Sequence, residues 1–91
     1  MQLITDDEIF PSLYATEEVK ADDKILRARF YEPNSNWSWY LTEYDPNEKI
    51  AFGFVIGFEQ EWGYFSLTEM QEIPTILRDK SFVPIYFKDL K

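Results

Sequence analysis

The run Ile50 to Phe58, IAFGFVIGF, constrains the fold of this chain more than any other stretch. Alternation puts Ile50, Phe52, Phe54, Ile56 and Phe58 on one face and Ala51, Gly53, Val55 and Gly57 on the other. Neither face is polar, so the run reads as a central strand covered on both sides. Gly53 and Gly57 weaken a strand unless backbone or a bulky group comes close, and the Trp or Tyr rings of a neighbour are expected against them.

The flanking segments supply further strands. From Lys24 to Tyr31, Leu26, Ala28 and Phe30 alternate with Ile25, Arg27, Arg29 and Tyr31. Turn formers at Glu32 to Asn36 then lead to a second strand, most economically through a hairpin. There Trp37, Trp39, Leu41 and Glu43 are expected on one face, with Ser38, Tyr40, Thr42 and Tyr44 on the other. Asp45-Pro46-Asn47 ends that strand. Trp62 to Leu67 reads as a short returning strand. Ser66 to Glu69 forms a capping-box pattern that opens a helix running to about Ile73, before Pro74. A similar pattern at Thr5 to Glu8 predicts a short N-terminal helix. Phe82 to Phe87 has strand composition, but Pro84 restricts it to an edge or a bulge. The expected class is α+β: one compact domain over residues 1-91, built on a small curved antiparallel sheet of about four to five strands with short helices at its ends.

A chain of 91 residues buries only roughly 60 to 65% of the surface its unfolded form exposes. Without Cys there are no disulfides and no thiolate ligands, so packing must hold the fold. The 8 Phe, 6 Tyr and 3 Trp supply that packing. No signal-peptide pattern and no run long enough to span a bilayer is present, which predicts a cytoplasmic protein that does not engage membranes. The net charge of −8 opposes direct binding to nucleic acid and favours a basic partner. Stacking of single-stranded nucleic acid on the aromatics would need a positive groove beside them.

The order of aromatics, acids and glycines in PNSNWSWYLTEYDP, FGFVIGFEQEWGYFSLTEM and VPIYFK resembles the family known as domain of unknown function 2958, over about Leu13 to Lys88. The resemblance implies a setting in bacterial plasmids, phages and other mobile elements. It carries over no reaction and no catalytic residue.

The absence of His and Cys removes Ser-His-Asp and Cys-His nucleophile systems and His- or Cys-ligated zinc. Three glycines at 53, 57 and 63 match no phosphate-binding loop. No catalytic residue, metal ligand or cofactor is assigned. Carboxylate pairs remain, Glu43 with Asp45 and Glu59 with Glu61, each on one side of an extended segment. Such a pair suits a hard cation or a divided acid and base role, although acids at strand ends are commonly solvated. Trp37, Trp39 and Trp62, with Tyr40 and Tyr44, are candidates for an aromatic platform or for the core itself. Arg27 and Arg29 could meet an anion or an acid on a neighbouring strand. The leading expectation is a small acidic interaction protein of mobile-element type that binds a basic host or element protein, in one version by mimicking DNA phosphates. The alternative is a small-ligand-binding or carboxylate- and metal-dependent enzymatic domain.

Overall fold

The strands predicted between Ala28 and Leu67 form one antiparallel sheet in the computed structural model, which describes residues 2–90. Strands β1 (Ile25–Leu26), β2 (Ala28–Tyr31), β3 (Ser38–Asp45), β4 (Ile50–Ile56) and β5 (Gln60–Ser66) are followed by helix α1 (Leu67–Gln71), β6 (Leu77–Arg78) and β7 (Ile85–Tyr86). The main sheet has the order β5-β4-β3-β2-β6, and β1 pairs separately with β7. Strand content therefore dominates, and α1 is the only α-helix among the described residues. The helix predicted to run to Ile73 stops at Gln71, with Ser66 capping it by accepting the Glu69 amide at 3.2 Å. The predicted N-terminal helix is a turn in which the Glu8 carboxylate accepts the Thr5 amide at 2.8 Å.

Both faces of the sheet are covered, as the apolar alternation of β4 requires. On one face Ala28, Phe30, Leu41, Ala51 and Phe65 pack beneath Leu3, Ile4 and Phe10 of the N-terminal segment and beneath Leu67 and Met70 of α1. On the other, Tyr40, Phe54, Ile56 and Trp62 pack with Leu26 and with Phe82, Ile85, Phe87 and Leu90 of the C-terminal segment. The first predicted strand bends at Arg27, which splits β1 from β2 while its amide still reaches the Leu41 carbonyl at 2.7 Å. Phe58, expected to extend β4, lies beyond its end and is 96% exposed.

One irregularity decides which side chains share a face. Leu41 pairs with Gly53 but Glu43 pairs with Phe52, so Thr42 is an extra residue on β3, a β-bulge. The bulge reverses the alternation beyond it. Tyr44 joins Leu41 in the first core, and Glu43 moves to the face of Tyr40 and Phe52. This corrects the expected grouping of Glu43 with the indoles and Tyr44 with the hydroxyls. The glycines fit the same geometry. A Cβ on Gly53 would lie 1.7 Å from the Tyr40 carbonyl oxygen, and one on Gly57 would lie 2.4 Å from the Trp37 ring. Close approach therefore comes from backbone at Gly53 and from an indole at Gly57.

The N-terminal cover is held by charge. Arg78 donates to the Glu8 carboxylate at 2.7 and 3.2 Å and to the Leu3 carbonyl at 2.9 Å. The hydrogen bond from Arg78 lowers the Glu8 pKa from the ordinary 4.5. Because the folded value is the depressed one, this contribution is present above the unfolded pKa and is lost as pH falls through the folded pKa. Urea midpoints are expected to drop as pH is lowered below about 4.5, and to drop less steeply in Arg78→Ala. Parallel profiles for the two proteins would show that this pair does not anchor the segment.

Candidate functional site

The β5 strand lies at the end of the sheet, paired on one side only, with β4. The pairing pattern identifies which of its backbone groups are free. Gly57 donates to the Glu59 carbonyl at 2.9 Å and Leu67 to the Lys49 carbonyl at 2.9 Å, so odd-numbered residues of β5 exchange bonds with β4. The amides and carbonyls of Gln60, Trp62 and Tyr64 consequently point out of the sheet, and no backbone partner meets them among the described residues. Side chains alternate across this edge. Trp62 and Tyr64 lie with Phe54 and Phe52 on the face of the C-terminal segment, whereas Glu61, Gly63 and Phe65 lie on the other.

Trp62 is anchored inward, stacked on Phe52 with ring centroids 5.8 Å apart and touching Phe87 at 4.9 Å. Tyr64 is 55% exposed and leans on Phe52 at 5.1 Å. Beside it is a cavity of about 270 Å³ lined by Tyr14, Glu17, Lys24, Glu43, Phe52 and Tyr64. The neighbouring Tyr14 phenol, with the charges of Glu43 and Glu17 acting in the same sense, raises the Tyr64 pKa above the ordinary 10.0. The cavity thus combines two phenols with two carboxylates and the Lys24 ammonium.

Glu43 is the floor of this cavity and is only 3% exposed. Its oxygens accept the Tyr14 amide at 2.8 Å, the Thr16 amide at 3.0 Å and the Thr16 hydroxyl. Lys24 is also buried and donates to the Thr16 carbonyl and, at 3.2 Å, to its hydroxyl. Glu43 therefore holds a loop, with both of its oxygens already engaged. Asp45, its proposed partner, accepts the Asn47 and Glu48 amides at 2.9 and 3.3 Å and shapes the turn to β4. No group of three or more acidic side chains able to hold a metal ion occurs among the described residues.

The sequence candidates are thus divided among different places. Trp37 and Trp39 stack at 5.6 Å, and Trp39 packs on the first core, while Trp62 lies on the opposite face of the sheet. Tyr40 and Tyr44 are each 7% exposed, on opposite faces, and serve as core. No single platform unites these five rings. Arg29 donates to Asp79 at 3.0 Å and Ser38 at 3.1 Å, so its acid partner comes from beyond β6. Glu59 and Glu61 are exposed and in no ion pair among the described residues. Sequence reasoning missed Tyr14, Glu17 and Tyr64, although alternation carried on from Trp62 would put Tyr64 on the same face.

A family model described as Protein of unknown function (DUF2958) matches residues 3–88 of the 91-residue chain. This chain belongs to the DUF2958 family. The DUF2958 match takes in every strand, α1 and the loop that rests on Glu43. No curated protein and no solved structure matches the chain.

Proposed function

We propose that this DUF2958 protein is a small acidic interaction protein that binds a basic protein partner, using the surface around β5. The observation that carries the reading is an uncompensated charge. Between Ile50 and Leu77 there are four acids, Glu59, Glu61, Glu69 and Glu72, and no Lys or Arg. All four are exposed, and none is in an ion pair among the described residues. Outside this stretch Glu8 pairs with Arg78 and Asp79 with Arg29, and acids such as Glu17, Glu18 and Asp22 share their segment with Lys20 and Lys24. Phe58 and Tyr64 add exposed aromatic area to the same hairpin, and rings of this kind anchor protein interfaces. A mobile-element setting accords with a protein acting on a host or element partner, and mimicry of DNA phosphates is a narrower form of the same reading.

The acids to change are Glu59 and Glu61, because Glu43 and Asp45 hold internal backbone groups. Tagged protein is used to recover partners from host lysate at low and moderate salt, and the affinity of the recovered basic protein is then measured. The double variant Glu59→Gln with Glu61→Gln is expected to keep its unfolding midpoint, lose about tenfold in affinity and show a flatter salt dependence. Unchanged affinity for that variant would reject the acidic contact.

A further inference from the structure

Gly63 is the one glycine that the fold itself does not require. Its φ is not positive, and a Cβ built there meets nothing within 4 Å. By contrast Gly53 and Gly57 are each pressed by a neighbour. Strand glycines recur at bulges, at tight bends and where a second backbone or a ligand comes close, and β5 has its register with β4 unbroken at Gly63. Gly63 also sits midway between Trp62 and Tyr64, whose outward amides and carbonyls form the open edge.

We infer that the partner adds an extended basic segment to β5 as a further antiparallel strand, centred on Gly63. This rests on the basic-partner reading above and specifies its mode. Backbone bonds to Trp62 and Tyr64 supply the pairing, as in other cases of strand addition. The residue opposite Gly63 fills the space left by the missing side chain. A Lys or Arg opposite Tyr64 reaches across its ring toward Glu17 at the cavity mouth, and a second, three positions later, falls opposite Glu61. Charge selects this occupant over a second copy of the chain, since two copies would bring together edges that each carry unpaired glutamates and a net charge of −8. The same acids that keep the edge from pairing with itself attract the basic strand.

The probe is a capped peptide, Thr-Val-Lys-Leu-Val-Lys-Val-Thr, titrated at low salt and followed by amide NMR. The Trp62 and Tyr64 amides are expected to shift most and to exchange at least about tenfold more slowly with peptide bound. Methylating the two peptide amides opposite Trp62 and Tyr64 is expected to abolish this. Gly63→Val is expected to raise the unfolding midpoint, because a β-branched residue suits an exposed strand, while weakening peptide and partner at least about tenfold. Peptide binding that survives methylation, or shifts centred away from β5, would overturn strand addition. Recovery of the basic partner by Gly63→Val at undiminished affinity would also overturn it and leave the basic-partner reading standing; recovery of no basic protein by the unaltered chain would remove that reading as well. Sedimentation as a dimer, with Trp62 and Tyr64 protected without peptide, would overturn it in favour of a second copy.

Discussion

Gly53→Ala is expected to prevent this protein from folding. The added methyl would sit 1.7 Å from the Tyr40 carbonyl oxygen and 3.1 Å from the Leu41 Cα, both backbone atoms of the paired strand. A flexible side chain can swing away from such an overlap, but β3 cannot move without breaking its ladder with β2 or β4. Overpacking costs about 1 to 3 kcal/mol where the surroundings are side chains that can adjust, and a clash with central backbone exceeds that range. Small domains have little stability to lose. Circular dichroism and amide NMR should show an unfolded or collapsed chain. Gly57→Ala provides the internal control, because its obstacle is the Trp37 ring, which can rotate; that variant should fold with a lower midpoint. A well-dispersed spectrum with near-native stability for Gly53→Ala would show that the close pairing of β3 and β4 is incorrect.

The contrast between the glycines shows what alternation can and cannot reveal. The period-2 pattern located β2, β3 and β4 to within a few residues, because each has at least one apolar face that must be buried, and β5 followed as the strand that returns beside β4. It also announced that Gly53 and Gly57 needed close neighbours. It carried no information on the bulge at Thr42, which inserts one residue without changing composition. Everything assigned beyond that position on β3 consequently took the wrong face, and with it the expected company of Glu43 and Tyr44. The N-terminal cover was equally illegible. Leu3, Ile4 and Phe10 have no period, and their burial depends on the Glu8 pair with Arg78, formed across most of the chain. As for the candidate site, Glu59, Glu61 and Trp62 were visible as residues, whereas the open edge that gives them a common direction follows only from strand order. Tyr14 and Glu17 enter through a loop that Glu43 fastens, a long-range contact that local spacing does not encode.

That fastening leads to the second large effect. Glu43→Gln is nearly isosteric, yet it is expected to cost about 3 kcal/mol, from the values of hydrogen bonds to a buried charged acceptor. A carboxylate has two acceptor oxygens for the Tyr14 amide, the Thr16 amide and the Thr16 hydroxyl. An amide offers one acceptor and turns N–H donors toward another donor. Tyr14 makes the loss larger, since it is held at φ 72°, a left-handed conformation that a non-glycine residue adopts at a cost of about 1 kcal/mol or more. With the carboxylate gone, the amide bond that offsets this cost is lost and the loop has reason to relax. Hydrogen exchange and limited proteolysis should therefore report opening at residues 12–19 before the sheet itself unfolds, and the cavity beside Tyr64 should lose its Glu17 wall. Thr16→Ala, which removes only the hydroxyl donor, should produce a smaller loss of the same kind. A Glu43→Gln midpoint within about 0.5 kcal/mol of the unaltered protein, with the loop still protected, would mean that the loop is held by something other than this buried carboxylate. The order of opening separates the two roles of the hairpin: if the loop detaches while basic-partner binding persists, recognition resides in the β5 edge and its acids, whereas joint loss makes the Glu17 wall part of the same surface.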